Sequence, residues 1–86
     1  MNFVWDKDTW KDYIDLQYAD KKSVKKINEL LLSIQKDGVM HGLGKPEQLK
    51  YNGRYSRRID KQNRLVYEMH DNGDIVILAC RGHYEK

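Results

Sequence analysis

Five residues in the second half of the sequence carry the groups that metal-independent cleavage of RNA requires. Such cleavage needs a base that removes the proton of the 2′-hydroxyl, cations that stabilise the pentavalent oxyanion, and an acid that protonates the leaving 5′-oxygen. Glu47 or Lys50 could act as the base, and His83 could act as the acid. Lys50, Arg58 and Arg64 could supply the cations. An unperturbed imidazole titrates near ~6.5, so His83 could hold or release a proton near neutral pH.

Other chemistries fit the sequence less well. Cys80 and His83 are three residues apart, which on a strand sends them to opposite faces, so Cys80 is predicted to be a small buried hydrophobic residue. His41 and His70 are expected at exposed loop or strand-end positions, and the histidines lack a metal-ligand spacing with Cys80. The stretch GVMHGLGKP misses the phosphate-loop pattern by one residue, and Pro46 replaces its Ser or Thr. We therefore expect no metal site and no cofactor.

The positive charge is concentrated around these residues. The chain carries a net charge of +3, and residues 1–40 are neutral, with seven lysines and seven carboxylates. Residues 45–64 hold seven cations against Glu47 and Asp60, a net charge of +5, and all five arginines lie between 54 and 81. Arginine is suited to bidentate phosphate contacts. This distribution favours a phosphate-binding surface over an ordinary basic one.

Length and composition limit the remaining possibilities. With 86 residues, the sequence predicts a single domain over 1–86 with one modest core. One cysteine excludes an internal disulfide and favours a reducing compartment. The sequence contains neither an apolar stretch of membrane-spanning length nor a secretory signal, so a soluble, cytoplasmic protein with no membrane contact is expected.

The first half of the chain predicts two helices. NFVW at 2–5 is a short β-prone run that ends at Asp6, a good N-cap, and a helical spacing continues to about Ala19. Asp20 is a second N-cap, and Gly38 ends the second helix. The second helix carries an apolar stripe that is expected to face the core, formed by Val24, Ile27, Leu30, Leu31 and Ile34.

The second half predicts strands. Leu49 and Tyr51 suggest a short strand, and three longer strands are predicted at YSRRID (55–60), RLVYEMH (64–70) and IVILACR (75–81). The order β-α-α-β-β-β-β predicts a compact α+β fold in which two helices pack on one face of a mainly antiparallel sheet.

The Asn72–Gly73 pair predicts a two-residue hairpin turn, and with it a register. Arg64 would then lie opposite Arg81, Val66 opposite Ala79, and Glu68 opposite Ile77. His83 would be a diagonal neighbour of Arg64 on the same face. Two opposed arginines favour an anion between them. The turn at 61–63 leaves open whether Arg58, opposite Val66, or Arg57 joins that face.

Several segments together resemble the YoeB/Txe family of toxins, within the wider RelE-like group. They are GKPEQLK, SRRI, RLVYE and ACRGHY, with VKKINELL and the early VW…W.DY, and they follow the family's order and spacing over nearly the whole chain. The resemblance implies a microbial-ribonuclease-like α+β fold. It also implies a toxin of a type II toxin–antitoxin pair, an mRNA interferase that enters the ribosomal A site, cleaves mRNA and inhibits translation.

The resemblance also implies residue roles. Glu47 of KPE is the expected base, Arg64 stabilises the scissile phosphate together with Arg58 and Lys50, His83 protonates the leaving oxygen, and Tyr84 orients the nucleotide. The expected catalytic residues are thus Glu47, Arg64, His83 and Tyr84. The expected RNA-binding residues are Lys50, Arg57, Arg58 and Arg81, with Tyr55 as a stacking residue.

The expected partners are a cognate antitoxin of the YefM/Axe type, mRNA and the ribosome, with a homodimer as a further possibility. A non-catalytic basic nucleic-acid-binding module, or a co-repressor within an antitoxin complex, is the alternative reading. A nuclease of this kind requires the 2′-hydroxyl and spares DNA, whereas binding alone leaves RNA intact.

Overall fold

The computed structural model describes residues 1–50 and 53–82. Over this part of the chain it contains two helices and five strands. The elements are β1 (Phe3–Trp5), α1 (Lys7–Ala19), α2 (Lys21–Asp37), β2 (Glu47–Gln48), β3 (Arg54–Arg58), β4 (Arg64–Met69) and β5 (Ile75–Ala79). The predicted α+β class and element order are confirmed. The short strand predicted around Leu49 begins two residues earlier, and Tyr51 lies outside the described residues.

Both helices begin where their capping residues predict. The Asp6 carboxylate accepts hydrogen bonds from the backbone N–H groups of Asp8 and Thr9, and Asp20 accepts from the backbone N–H and the hydroxyl of Ser23. The Ser23 hydrogen bonds lower the pKa of the Asp20 carboxyl. Gly38, with a φ of 91°, ends α2 and donates its N–H to the Ile34 carbonyl.

The five strands form one mixed sheet in the order β1-β5-β4-β3-β2. β1 pairs with β5 in parallel, and the other neighbours are antiparallel. The helices cover one face, where the α2 stripe packs against side chains of β4 and β5. The core includes Ile27, Leu30, Ile34, Leu65, Tyr67, Ile75 and Ile77. We call the other side of the sheet, which the two helices do not cover, the open face, although Ser56 and Val66 at its centre are fully buried.

The hairpin between β4 and β5 differs from the predicted two-residue turn. Its loop has three residues, Asp71 to Gly73, and the His70 N–H donates to the Asp74 carbonyl. Gly73 has a φ of 89° and donates its N–H to the His70 carbonyl, so the turn ends on a residue in the left-handed region. The Asn72 side chain contributes by accepting from the Asp74 N–H.

This loop shifts the register by one residue. Glu68 lies opposite Val76, and the predicted pairing with Ile77 is wrong. A bulge between Val66 and Tyr67 then restores the predicted pairing of Val66 with Ala79. Leu78 is the extra residue of this bulge on β5, and its carbonyl accepts a hydrogen bond from the Thr9 hydroxyl of α1.

Gly44 lies between α2 and β3, in close contact with both. A Cβ at this position would lie 2.6 Å from Leu30 Cδ2 and 3.0 Å from Arg57 Cβ, and the φ of 84° is itself unfavourable for L-residues. We expect Gly44→Ala to lower the free energy of unfolding by about 2–5 kcal/mol, since it adds backbone strain to overpacking. Urea denaturation of both proteins would measure the loss.

Gly73→Ala is the matched control for this prediction. Gly73 has a similar φ of 89°, but nothing lies within 4 Å of its added Cβ. It should therefore lose only the backbone contribution, about 1–2 kcal/mol. Equal losses from the two substitutions would show that the contact between Gly44 and its neighbours is not tight.

Candidate active site

Three predicted site residues lie on the open face of the sheet. Glu47 of β2 lies opposite Ser56 of β3, and Ser56 lies opposite Val66 of β4. Two residues further along β3, Arg58 lies directly opposite Arg64 of β4. Directly paired residues share a face, and so do residues two apart on one strand. The open face therefore carries a half-buried carboxylate, Glu47, beside two opposed arginines.

The two arginines are held by the β3–β4 hairpin. Ile59 donates its N–H to the Asn63 carbonyl, and the Asp60 carboxylate accepts from the N–H groups of Gln62 and Asn63. Neither pairing left open by the sequence is observed, because Ser56 lies opposite Val66. Arg58 nevertheless shares the face of Val66, and Arg57 points to the other side. Like charges directly opposite one another destabilise a sheet, so the Arg58–Arg64 pair is a local conflict that an anion would relieve.

The start of the C-terminal segment is held against β4. Gly82 accepts a hydrogen bond from the Arg64 N–H at 3.1 Å and donates its own N–H to the Asn63 side-chain oxygen at 2.7 Å. The next residues in sequence are His83 and Tyr84, both predicted site residues, and they lie outside the described residues. The predicted diagonal contact between His83 and Arg64 therefore remains a prediction.

Arg57 lies inside the protein. None of its surface is exposed, and its side chain extends between β3 and α2. A contact with RNA at this position is therefore not compatible with the structure, and we remove Arg57 from the RNA-binding residues. The physical reason is strand alternation: Arg58 and Arg57 cannot share a face, and Arg57 pairs with Leu65 on the helix side.

Tyr55 and Arg81 are also placed differently from the prediction. The Tyr55 ring stacks on Tyr67 at 5.7 Å on the helix side of the sheet, so it does not share a face with Glu47. The guanidinium of Arg81 pairs with Asp12 of α1 at 2.7 Å. β5 ends at Ala79, so the pairing of Arg81 with Arg64 does not belong to the observed ladder. A carboxylate of α1, rather than a bound anion, balances Arg81.

Lys50 is exposed, two residues beyond the end of β2. On the same face of the sheet as Glu47, the Glu68 carboxylate contacts the Arg54 guanidinium at 2.7 Å and the His70 imidazole at 2.9 Å. The hydrogen bond from Arg54 is the main cause that lowers the pKa of Glu68.

His41 and His70 are exposed, as predicted. The described residues bring together no group of three or more His, Cys, Asp or Glu side chains that could hold a metal ion.

Cys80 is a buried core residue, as predicted. Burial is the main cause that raises its pKa from 9.0 to about 11, and the Asp12 carboxylate adds to the effect. We expect the native thiol to resist alkylation by iodoacetamide at mildly alkaline pH and to react on unfolding in urea, because the thiolate is the reactive form. Mass spectrometry of the treated protein would measure this.

The raised pKa also predicts a pH dependence of stability. Above pH 9 the unfolded thiol loses its proton while the folded thiol keeps it, so the free energy of unfolding falls as pH rises from 9 towards about 11. The pKa of Tyr67 is raised as well, mainly by burial. Comparison with Cys80→Ala isolates the thiol, since the variant keeps Tyr67. Identical alkaline slopes for the two proteins would contradict the assignment.

Two residues that position the site gave little signal in the sequence. Asn63 holds Gly82 through its side chain, and its type indicates only a turn. Ser33 of α2 is buried and contacts the loop after the helix through its hydroxyl. A serine inside a helix gives no specific signal in a sequence. Its position three residues after Leu30, on the core side of α2, is the one feature that could have indicated burial.

The fold and the open face define a class: an α+β domain whose sheet carries arginines and carboxylates together on one face. A sequence model of the YoeB-like toxins of bacterial type II toxin–antitoxin systems matches residues 5–84. Toxin YoeB of Escherichia coli strain K12 is 45% identical over 86 residues, covering 98% of this chain and all of that protein. The chain therefore belongs to the YoeB family of type II toxins, as the sequence motifs indicated.

Solved structures agree with this assignment. The YoeB dimer from Staphylococcus aureus is 49% identical and superimposes with a TM-score of 0.88, with 98% of each chain covered. The toxin in the heterotetrameric YoeB–YefM toxin–antitoxin complex from Staphylococcus aureus is 50% identical, with a TM-score of 0.86 and the same coverage. In the part of the chain that the structure describes, no helix is long and apolar enough to cross a membrane.

Proposed function

We propose that this toxin is a ribosome-dependent endoribonuclease that cleaves mRNA in the A site and thereby inhibits translation. The observation that carries the proposal is the placement of Glu47, Arg58 and Arg64 on one face of the sheet. Membership of the YoeB family supports a toxin, and the residue types support this particular chemistry. Because ribosomes are the proposed site of action, the toxin would act in the cytoplasm. Residues 1–86 would act as a single domain.

The proposed reaction proceeds without a metal or cofactor. The Glu47 carboxylate accepts the proton of the 2′-hydroxyl, and the resulting oxygen attacks the neighbouring phosphorus. Arg64 and Arg58 stabilise the charge that develops on the phosphate oxygens, with Lys50 as a further cation. His83 donates a proton to the 5′-oxygen as the bond to phosphorus breaks, and Tyr84 orients the nucleotide. The products are a 2′,3′-cyclic phosphate and a 5′-hydroxyl.

The neighbouring arginines support the proposal that a glutamate is the base. Free glutamate titrates near ~4.3, so it is ionised at neutral pH but only weakly basic. The positive charge of Arg58 and Arg64 favours the anionic transition state over the ground state, which compensates for a weak base. A ribosome that holds the message in line with these groups would supply the remaining orientation.

Toeprinting of a translated message tests the proposal. Addition of the purified toxin should create a new message end in the A-site codon of paused ribosomes. The same message without ribosomes serves as the control for dependence on translation. An intact message in the presence of a folded, ribosome-bound toxin would contradict the proposed activity and favour a binding module. Cleavage of free message at the same rate would contradict the dependence on the ribosome.

We also propose a cognate antitoxin of the YefM type and a toxin homodimer. The structures of a YoeB–YefM complex and of a YoeB dimer support both for close relatives. The basic segment 45–64 is a suitable target for an acidic segment that folds on contact. In the toxin–antitoxin complex, Lys45, Lys50 and Lys61 should be protected from chemical modification. Full reactivity of these lysines in the complex would place the antitoxin elsewhere.

A further inference from the structure

The segment 38–44, which follows α2, is wrapped around the buried side chain of Arg57. The guanidinium lies beneath the segment and binds three of its carbonyl oxygens, together with two hydroxyls of the core. The acceptors are Gly38 O at 2.7 Å and His41 O at 2.6 Å from Nη2, Leu43 O at 2.8 Å and Ser33 Oγ at 3.0 Å from Nη1, and the Tyr67 hydroxyl at 2.9 Å from Nε.

These contacts use the complete donor set of arginine. A guanidinium has five N–H groups in a rigid planar fork, and five hydrogen bonds are made here. Burying a cation is costly unless it is fully hydrogen-bonded, and here every donor of the guanidinium has an acceptor. A lysine ammonium has three donors and cannot span the same acceptors.

Ser33 and Tyr67 extend the same network. The Ser33 hydroxyl accepts from Arg57 and from the Leu43 N–H, and donates to the Asp37 carboxylate at 2.9 Å. The Tyr67 hydroxyl accepts from Arg57 and donates to the Val39 carbonyl at 2.6 Å. Residues from α2, β3 and β4 thus fix the segment 38–44 at several points.

The segment leads directly to Glu47. After Leu43, the Gly44 carbonyl accepts from the Arg58 N–H at 2.7 Å, and both Gly44 and Lys45 have positive φ angles. Glu47 then begins β2, which has only two residues and lies at the edge of the sheet. So short a strand depends on the chain on either side of it for its position. The location of the Glu47 carboxylate therefore depends on how the preceding segment is held.

We infer that Arg57 is a positioning residue for Glu47: it fixes the segment 38–44 from inside and so aligns the carboxylate with Arg58 and Arg64. The functional part of this inference rests on the proposed ribonuclease activity. Arg57 thus affects the reaction indirectly, from the helix side of the sheet. Arg58, the next residue of the same SRR motif, lies on the open face.

Hydrogen exchange of Arg57→Lys tests the structural part without any activity assay. The Leu49 N–H donates to the Arg54 carbonyl and the Arg58 N–H to the Gly44 carbonyl, so the two amides report on β2 and on the segment. We expect their protection to fall at least ~10-fold in Arg57→Lys, while the central β4 amides keep theirs. Unchanged protection of both reporter amides would overturn the inference.

Single-turnover cleavage on programmed ribosomes tests the functional part. We expect Arg57→Lys to cleave roughly 10²-fold more slowly with ribosome affinity little changed, because a displaced base affects the chemical step rather than binding. Ile75→Ala, a core variant on β5, is the control for general destabilisation. If Ile75→Ala, assayed as a folded protein, lost as much activity, Arg57 would be only a stabilising residue.

Ser33→Ala provides a milder second variant if Arg57→Lys does not fold. It removes one acceptor of Arg57 and the partner of the Leu43 N–H while leaving the guanidinium in place. We expect the same two reporter amides to lose several-fold of their protection and cleavage to slow in parallel. Normal exchange in Ser33→Ala would overturn the inference. If the wild-type toxin left the message intact, the proposed function would be refuted instead. The hydrogen-exchange result would still stand, because it does not depend on cleavage activity.

Discussion

Glu47→Gln is expected to cleave message ~10²–10⁴-fold more slowly than the wild-type toxin, which is the range that positioned acid–base catalysis contributes. Glutamine keeps the shape of the side chain but cannot accept the 2′-hydroxyl proton. Because Glu47 lies at the sheet edge and is half-buried, we expect little change in thermal stability. Single-turnover cleavage on programmed ribosomes, with the melting temperature measured in parallel, checks both expectations.

The neighbouring residue offers a matched control for this result. Gln48 is exposed and points away from Glu47 on the same short strand. The double exchange of Glu47→Gln with Gln48→Glu leaves composition and net charge unchanged but moves the carboxylate off the open face. It should be as inactive as Glu47→Gln. Nearly full activity of Glu47→Gln would show that another group is the base, and Lys50 would be the first candidate.

Arg64→Gln is expected to lose activity without losing stability. Removal of one transition-state contact should lower the cleavage rate ~10²–10³-fold. At the same time it relieves the opposition of Arg64 to Arg58, and cross-strand pairs of this kind contribute about 0.2–1 kcal/mol. The free energy of unfolding should therefore stay constant or rise slightly. Urea denaturation and single-turnover cleavage measure the two opposite trends.

Arg81→Gln is the control for the loss of an arginine. Its ion pair with Asp12 is partly exposed, so the variant should lose about 0–1 kcal/mol of stability. Because that guanidinium is bound to α1, cleavage should stay within a few-fold of wild type. Equal loss of activity from Arg64→Gln and Arg81→Gln would show that the toxin uses the arginines only as general positive charge.

Local rules in the sequence predicted most of the fold. Asp6, Asp20 and Gly38 bound the helices as their capping preferences indicate, and the α2 stripe packs against the sheet. The strands appeared where alternation indicated them. These features depend on neighbouring residues along the chain, so they can be read from the sequence.

Register was less predictable, because loop length and bulges determine it. Asn72–Gly73 fits a two-residue turn, yet the same residues form a three-residue loop in which Gly73 takes the left-handed position. The bulge at Val66 and Tyr67 then restored part of the predicted pairing. One residue of shift changes the opposite partner of Glu68, and no composition signal marks the bulge.

The placement of the candidate site residues was predicted in part. Glu47, Arg58 and Arg64 share one face of the sheet, whereas Arg57, Tyr55 and Arg81 face the core or α1. A buried arginine has the same sequence signature as an RNA-binding arginine, since both belong to a basic cluster. The role of Arg57 is distinguished by its acceptors, which are the hydroxyls of Ser33 and Tyr67 and three carbonyl groups of the segment 38–44. No pattern of side chains in the sequence reveals the carbonyl groups.

Cleavage of a message with a single 2′-deoxynucleotide at the cut position tests the central claim most directly. The matched all-ribose message, translated on the same ribosomes, would first identify the position by toeprinting. Since the missing hydroxyl is the nucleophile, the substituted message should remain intact at that position while still binding the ribosome and toxin. Cleavage of both messages at equal rates would contradict the assignment of Glu47, Arg58 and Arg64 to attack by the 2′-hydroxyl.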